Sequence, residues 1–518
     1  MLTKILSASH FGLKTIPVEV EVNVFKKGFP GFSIIGLPNK SVEEAKERVK
    51  TALINSGIDF PNLKIIVNLA PADIPKEGSS FDLAIAIGIL NSLEVIKLPE
   101  AKSYFYGELS LDGSLRHTKG AFLLALAAKE QGIKNVFVPK ESANEASAVT
   151  GINIYPVERL GQLISHLNGV EEIRRLKRKT YDEFSAQGGP VLDWDFSEII
   201  GQEQAKRALT IAVAGGHNIF MQGPPGSGKT MLARAISGIL PPLSQDESLE
   251  VTKIYSVTGN IPSGGSLIFE RPFRSCHHTT SRIGLVGGGS NPHPGEISLA
   301  HLGVLFLDEF PEFSRGTLEA LRQPMEDGIV NISRAAGSIA YPAQFMLVAA
   351  ANPCPCGYLG DPKKECKCSP RMIMRYTSKL SGPLMDRIDL HLQVPAVEVE
   401  KLMDSNSPHA GARGPQNATT SKELREKIIR ARNIQQNRFK KDGIYMNAHM
   451  KNRHVKNLKI EPSALLILKQ AVNAYNLSAR TYFRLIKVAQ TIADLEAVDS
   501  IADKHVAEAL QYRIRVEG

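Results

Sequence analysis

The chain has 518 residues, of which 43% are hydrophobic and 22% charged, and its formal net charge is +9. This composition is typical of a soluble globular protein, the length predicts about three or four domains, and the moderate positive charge permits nucleic acid as a partner without requiring it. No apolar stretch approaches the ~20 residues that span a bilayer, and the start lacks the apolar core of a signal peptide, so we expect a cytoplasmic protein with no membrane partner.

Three glycine-containing segments mark the N-terminal region, which we predict to be an α+β domain over residues 1–170. They are residues 75–80, 107–113 and 132–136. These segments resemble the proteolytic domain of the Lon proteases, in which a lysine activates a serine nucleophile. The resemblance aligns Ser80 with that serine and Phe122 with that lysine. A phenyl ring cannot accept a proton, and Lys119 lies one helical turn away, so we expect a Lon-type fold without protease activity.

Two low-complexity stretches divide the rest of the chain. A basic run followed by Gln-Gly-Gly-Pro predicts a linker over residues 171–192. A stretch rich in Ser, Asn, Pro, Gly and Ala predicts a second linker over residues 401–420. Between them we predict an α/β core at residues 193–400. Helical spacing after the second linker predicts an α-helical lid at residues 421–518.

A glycine-rich segment follows an apolar run and precedes a helix-like stretch. Its residues are Gly223, Pro224, Pro225, Gly226, Ser227, Gly228, Lys229 and Thr230. This context for a G-x-x-x-x-G-K-T pattern predicts a loop whose backbone N–H groups surround a triphosphate. Lys229 would contact the β and γ phosphates, and Thr230 would hold Mg²⁺ through its hydroxyl. We therefore predict that the chain binds ATP with Mg²⁺.

Two further apolar runs end in polar residues. Residues 304–307 precede Asp308 and Glu309, and residues 345–351 precede Asn352. Buried parallel strands deliver such residues to one edge of a sheet, where ligands of α/β proteins bind. There Asp308 would hold Mg²⁺, Glu309 would orient the attacking water, and Asn352 would bond the γ-phosphate and that water.

Arg387 lies just before an apolar return strand, and Arg480 opens a long C-terminal helix. From the residues alone, both arginines can be ordinary surface salt bridges. Here the chain resembles the AAA+ ATPases, in which residues at the positions of Asn352, Arg387 and Arg480 are sensor 1, the arginine finger and sensor 2. The resemblance implies that Arg387 acts in a neighbouring subunit, which makes catalysis depend on assembly.

Four of the five cysteines lie within fifteen residues of one another: Cys354, Cys356, Cys366 and Cys368. Two C-x-C pairs separated by a turn-rich segment can bring four thiolates to one tetrahedral ion. Disulfides are disfavoured in a reducing cytosol, so the spacing favours a structural Zn²⁺ site, with free thiols as the alternative.

Several longer segments of the core narrow the family. They are residues 271–279, 287–289, 294–301, 308–313 and 351–357. Together they resemble the magnesium-chelatase-like AAA+ ATPases, and specifically the ComM (YifB) group, over essentially the whole chain. One departure is Cys276, where the group usually has proline. The resemblance implies a hexameric ring that encircles DNA and drives branch migration of recombination intermediates in natural transformation.

Two arginines are candidate DNA contacts. Arg282 lies in a glycine-rich loop insertion, and Arg334 lies in a segment that resembles the pore hairpin of helicase relatives. The adjacent His277 and His278 point apart on a strand or helix, which favours a structural or interface role over metal ligation. Two alternatives to a DNA motor stay open: a chelatase-like motor that remodels a protein partner, and an ATP-dependent protease, against which Phe122 argues.

Overall fold

The computed structural model describes residues 2–72, 76, 78–177, 181, 183, 194–261, 265–289, 292–334, 337–361, 364–396, 419–440 and 442–513. Two compact units make up the chain, the first formed by Met1–Gly188 with Ser244–Phe269 and the second by Gly189–Leu243 with Glu270–Gly518. Most of the two predicted linkers, 171–192 and 401–420, lies outside the described residues.

Strands and helices alternate irregularly up to residue 170. The strands are β1 (Leu2–Phe11), β2 (Lys14–Phe25), β3 (Gly31–Ile35), β4 (Lys64–Ala70), β5 (Ser103–Phe105), β6 (Glu108–Leu109), β7 (Leu115–Arg116), β8 (Asn135–Pro139) and β9 (Asn153–Val157). The helices are α1 (Lys40–Glu43), α2 (Ala45–Asn55), α3 (Asp82–Ser92), α4 (Ala121–Glu130), α5 (Lys140–Ser147) and α6 (Leu160–Leu167).

The remainder is richer in helix. Its strands are β10 (Ile219–Gln222), β11 (Phe273–Cys276), β12 (Gly287–Gly288), β13 (His293–Pro294), β14 (Val304–Leu307), β15 (Ile329–Arg334), β16 (Gly337–Pro342), β17 (Met346–Ala351) and β18 (Leu390–Gln393). Its helices are α7 (Glu203–Gly215), α8 (Lys229–Ile239), α9 (Gln245–Thr258), α10 (Arg282–Val286), α11 (Glu296–Leu299), α12 (Arg315–Glu319), α13 (Arg322–Asp327), α14 (Pro370–Thr377), α15 (Gly382–Met385), α16 (Ser421–Arg438), α17 (Asn452–Val455), α18 (Pro462–Tyr475), α19 (Ala479–Leu495) and α20 (Asp503–Gln511).

A mixed seven-stranded sheet, in the order β3-β4-β2-β1-β5-β8-β9, organises the described part of the first unit. Strand β2 pairs antiparallel with the whole length of β1, and alternate residues of β2 from Val18 to Val24 are buried. This two-residue period places one face of the strand in the core. Helix α3 is buried almost throughout and packs on β1 and β2, which explains its nearly uninterrupted apolar sequence.

Helix α9 belongs to the first unit, although the sequence predicts residues 193–400 as one core. It packs against α4, and Leu249 joins the apolar cluster that contains Phe122. Ser244 caps the helix by a reciprocal pair of hydrogen bonds with Glu247. A segment from the middle of the chain therefore completes the apolar core of the N-terminal unit.

A five-stranded parallel sheet, in the order β11-β14-β17-β10-β18, organises the described part of the second unit. Helices α7 and α8 share one apolar core with it and with the lid helices α16, α18, α19 and α20. Because all five strands are parallel, their carboxyl ends meet at one edge. The predicted α/β fold class is confirmed, with an N-terminal region before this core in the sequence and a C-terminal region after it. Among the described residues, no helix is both long enough and apolar enough to cross a membrane.

Candidate nucleotide-binding site

The glycine loop, which we define as residues 223–230, joins β10 to the first residue of α8. Gly226 and Gly228 have φ angles of +76° and +86°, a left-handed backbone conformation that residues other than glycine rarely adopt. The N–H of Gly223 donates to the carbonyl of Ala351 over 3.2 Å, which ties the loop to the end of β17. The loop thus lies at the carboxyl edge of the parallel sheet, with the N-terminus of α8 behind it.

Lys229 is only 8% exposed and points back into the glycine loop. Its Nζ donates to the carbonyls of Gly223 and Pro224 over 2.7 and 2.8 Å, and it lies 3.3 Å from Oδ1 of Asn352. Burial lowers the pKa of Lys229, and the Asp308 carboxylate opposes that shift. The structure therefore brings Lys229 and Asn352 into contact, although 123 positions separate them.

Thr230, on α8, lies beside Asp308, which directly follows β14. Thr230 Oγ1 donates to Oδ2 of Asp308 over 2.8 Å, and the N–H of Glu309 donates to Oδ1 of Asp308 over 2.9 Å. A hydroxyl and a carboxylate at a solvent-accessible edge are hard oxygen donors of the kind that Mg²⁺ prefers. Thr230 and Asp308 are therefore suited to hold Mg²⁺ as predicted.

Glu309 is exposed and contacts a histidine that sequence reasoning did not connect to it. Nδ1 of His278 lies 2.7 Å from Oε2 of Glu309. The pairing follows from sheet register, because β11 lies parallel to β14 with Cys276 opposite Leu307. The residues just beyond those two ends therefore become neighbours. The two histidines do not point apart as predicted, because their ring centroids lie 4.0 Å apart and ligand atoms of His277, His278 and Glu309 all lie within 4.8 Å of one another. Nδ1 of His277 also lies 3.0 Å from the hydroxyl of Thr279.

Arg387 and Arg480 converge on one carboxylate in the second unit. Oε1 of Glu326, on α13, lies 2.8 Å from Nη2 of Arg387 and 2.7 Å from Nη2 of Arg480. Burial acts to raise the pKa of Glu326, but the two guanidinium groups outweigh it and lower that pKa. The two predicted arginines are thus brought together within one chain, through a residue that the sequence did not single out.

The lid helix α19 also docks on the sheet through a buried ion pair. Arg484 pairs with Asp389 and donates to the carbonyl of Arg387 over 2.8 Å. Burial alone would raise the pKa of Asp389, but Arg484 and His217 outweigh it and hold that pKa well below its usual range. Because Arg480 is one helical turn from Arg484, this docking fixes where Arg480 lies relative to Arg387.

The four predicted zinc ligands converge directly after Asn352. The Sγ atom of Cys354 lies 3.4 Å from that of Cys356 and 3.6 Å from that of Cys366, and the N–H of Cys356 lies 3.4 Å from Sγ of Cys368. All four sulfurs lie within 4.8 Å of one another. Zinc–sulfur bonds of about 2.3 Å in a tetrahedron separate the sulfurs by about 3.8 Å. The donor set and its spacing therefore fit one Zn²⁺.

The two predicted DNA contacts lie on different elements. Arg282 does not lie in a loop as predicted: it is the exposed first residue of the short helix α10, which Ser281 caps. Arg334 is the last residue of β15, which pairs with β16 in an antiparallel hairpin, and its side chain lies outside the described part of the chain. The hairpin itself agrees with the predicted hairpin before Asn352.

In the first unit, Ser80 and Tyr106 are both buried, and the Ser80 side chain opposes the rise that burial causes in the pKa of Tyr106. The Tyr106 hydroxyl donates to the carbonyl of Lys119 over 2.7 Å and lies 3.1 Å from Nε2 of His10. Phe122 is fully buried in α4. Sequence reasoning missed Tyr106 and His10, because no local pattern links them to Ser80.

Family models match most of the chain. A model described as "Magnesium chelatase, subunit ChlI" matches residues 195–402. Those of "Subunit ChlI of Mg-chelatase" and "Magnesium chelatase, subunit ChlI C-terminal" match residues 18–142 and 418–513.

Curated relatives extend over the full length. The chain is 43% identical to "Competence protein ComM" of Haemophilus influenzae, over 99% of this chain and 98% of that protein. It is 41% identical to YifB of Escherichia coli, over 99% and 97% of the two chains. It is 27% identical to the magnesium-chelatase subunit ChlI of Guillardia theta, over 46% of this chain and 70% of that one. The chain therefore belongs to the ComM/YifB group of magnesium-chelatase-like AAA+ ATPases.

Proposed function

We propose that this chain hydrolyses ATP and uses the energy to move DNA, as a branch-migration motor on recombination intermediates in natural transformation. The observation that carries the ATPase part is the contact between Thr230 and Asp308 beside Lys229. It joins a phosphate-binding loop to a magnesium-binding carboxylate, and phosphoryl transfer needs both in one place. The relative named "Competence protein ComM", which matches over the whole chain, supports the physiological setting. A cytoplasmic location is part of the same proposal.

The proposed residue roles follow from the chemistry of phosphoryl transfer. The backbone N–H groups of the glycine loop and Lys229 would bind the phosphates, and Thr230 and Asp308 would hold Mg²⁺, which neutralises charge on the phosphates. Glu309 would orient the attacking water, and Asn352 would bond both that water and the γ-phosphate. Arg480 would complete the site from the lid of the same chain.

In a hexameric ring, a neighbouring subunit would supply the arginine that the nucleotide site still lacks. Arg387 would act as an arginine finger on the nucleotide of a neighbouring subunit, after exchanging Glu326 for the phosphate. Arg334, at the end of the first strand of the β15–β16 hairpin, and the exposed Arg282 would contact DNA phosphates. Such contacts carry no sequence information but contribute binding affinity. The four cysteines would hold one structural Zn²⁺.

A second candidate is a motor that remodels a protein partner. The matches to ChlI models in all three regions support it, because their descriptions name a subunit of magnesium chelatase, a protein that works together with other subunits. DNA dependence separates the two functions. ATPase rates of purified protein should rise with forked or four-way DNA, and labelled four-way junctions should be resolved into products only with hydrolysable ATP. An ATPase that responds to no DNA structure and moves no junction would favour the protein-remodelling motor.

A further inference from the structure

The four-cysteine loop, which we define as residues 354–368, is held at both ends by regular structure. It follows β17 and Asn352, and after Cys368 the side chain of Ser369 caps α14 by accepting from the N–H of Met372 over 3.3 Å. Within the described part of the loop, the N–H of Gly357 donates to the carbonyl of Cys354 over 2.9 Å, which forms a tight turn.

That turn packs directly on the glycine loop. Gly357 is buried with a φ angle of +86°, and a Cβ placed there would lie 2.5 and 2.6 Å from Cδ and Cγ of Pro225. The same Cβ would lie 3.8 Å from Cγ of Asn352. No side chain fits between the two loops, so the backbone of one rests on the ring of the other.

A second route joins the cysteines to the same site. Asn352 is two residues before Cys354, and its Oδ1 lies 3.3 Å from Nζ of Lys229. Tyr376, on the helix α14 that follows the four-cysteine loop, is buried beside this residue: burial raises its pKa to about 12, and the backbone N–H of Asn352 acts against that shift. The four-cysteine loop thus contacts the glycine loop through Gly357, and Asn352, just before the loop, contacts Lys229.

We infer that zinc held by the four-cysteine loop positions the glycine loop for nucleotide, with Gly357 as the positioning residue; this rests on the ATP and zinc sites proposed above. Structural zinc converts a flexible segment into a folded one, because its binding free energy offsets the entropy of ordering the chain. Without the metal, Gly357 and Asn352 lose their fixed place, and Pro225 and Lys229 lose the surfaces that hold them. Nucleotide affinity therefore depends on metal bound outside the nucleotide site.

Gly357→Ala tests the contact, and Gly360→Ala is its matched control. Both glycines are in the same loop with φ angles of +86° and +77°, but a Cβ at Gly360 meets nothing within 4 Å. The two variants share the backbone strain, and only the first collides with Pro225. The dissociation constant of a fluorescent ATP analogue with Mg²⁺ should rise about tenfold in Gly357→Ala and stay within about twofold of wild type in Gly360→Ala. Both proteins should keep their zinc, measured by elemental analysis.

Replacing Cys366 and Cys368 together with serine tests the metal. Neither cysteine is close to Asn352 in sequence, so we expect the double substitution to affect Asn352 through loss of the metal ion rather than directly. Zinc should be lost, and the same dissociation constant should rise about tenfold, with circular dichroism and a thermal midpoint confirming that the rest of the chain is folded.

The outcomes separate this inference from the proposals beneath it. Zinc that is lost without a change in nucleotide affinity overturns the inference and leaves the ATP site standing, as does equal affinity in Gly357→Ala and Gly360→Ala. Wild-type protein that carries no zinc overturns the zinc proposal and this inference together. Wild-type protein that binds no ATP overturns the proposed function itself.

Discussion

Nδ1 of His278 lies 2.7 Å from Oε2 of Glu309, so an imidazole ring lies against the carboxylate that we expect to orient water. The ring covers part of this carboxylate and leaves less room for a water molecule beside it. We therefore expect His278→Ala to raise the basal ATPase rate severalfold without changing ATP affinity. His277→Ala is the comparison for loss of a neighbouring imidazole, because Nδ1 of His277 lies 3.0 Å from the hydroxyl of Thr279 although its ring is also near Glu309. A fall in the catalytic rate of His278→Ala would mean that the histidine holds Glu309 in its productive position.

Substitution of Lys229 should affect nucleotide binding, whereas substitution of Glu309 should affect the rate of hydrolysis. Lys229→Ala removes the cation that contacts phosphate, so it should abolish detectable nucleotide binding. Glu309→Gln keeps the shape of the side chain but loses its charge, so ATP should still bind while hydrolysis falls by about 10²–10⁴-fold.

Equilibrium binding and single-turnover hydrolysis measure the two effects. Glu312→Gln is a suitable control, because this nearby exposed carboxylate pairs with Lys379 over 3.0 Å. Equal loss of binding in Lys229→Ala and Glu309→Gln would contradict the assigned roles.

The glycine loop, the two acids after β14 and the four cysteines could be predicted from the sequence because each signal is local. Spacing along a few residues defines a phosphate-binding loop or a tetrahedral metal site. That these segments meet depends on the parallel sheet, in which Thr230 Oγ1 lies 2.8 Å from Oδ2 of Asp308.

The relationships that the sequence missed are all long-range. His278 meets Glu309 only because β11 and β14 have a particular register, and Glu326 meets Arg387 and Arg480 through three separate elements. Helix α9 has ordinary amphipathic spacing, and nothing in that spacing says that it packs on α4 rather than on the adjacent sheet. Such choices are decided by tertiary packing, which a local pattern does not encode.

Arg387 should act between subunits. If it does, Arg387→Ala and Lys229→Ala chains should each be inactive alone, and mixing them should restore part of the ATPase activity. Mixed rings contain interfaces that pair an intact glycine loop with an intact arginine. ATPase rates across mixing ratios measure the effect, with mass determination to show that mixed rings form. Mixed rings with no recovery at any ratio would remove the trans role.

Glu145 should give the first unit a characteristic pH dependence. Burial raises the pKa of this carboxyl to about 7, although the hydroxyl of Ser256 and the N–H of Phe122 oppose the shift. Between the ordinary value of 4.5 and about 7, the unfolded chain ionises while the folded chain keeps its proton. The folded state then binds more protons, so its stability falls as pH rises through this window, by at most about 3 kcal/mol.

Glu145→Gln should remove that slope. Thermal midpoints of wild type and variant should converge or cross as pH rises from about 4.5 to about 7, with wild type losing stability relative to the variant. Glu158→Gln is the control, because this exposed carboxylate pairs with Lys140 on the surface. Parallel pH profiles for wild type and Glu145→Gln would contradict the prediction.

The first unit should have no protease activity. Ser80 is 6% exposed, and its side chain interacts with the Tyr106 phenol, which is a weak acid rather than a base. Burial raises the pKa of Tyr106 well above its usual range and lowers that of His10 to about 4, which leaves the histidine a poor proton acceptor. A serine without an adjacent base is a weak nucleophile. Phe122 has no lone pair.

Purified protein should therefore not cleave unfolded casein with or without ATP, and Ser80→Ala should leave ATPase and DNA-dependent activities unchanged. The side chain of Lys119 packs against Gly259, because a Cβ added to Gly259 would lie only 2.7 Å from Cε of Lys119. That packing holds the lysine against α9 and its C-cap. Casein cleavage that disappears in Ser80→Ala would overturn the prediction. If Lys119→Met also abolished it, the base would be Lys119; if only His10→Ala did so, the proton would pass through Tyr106.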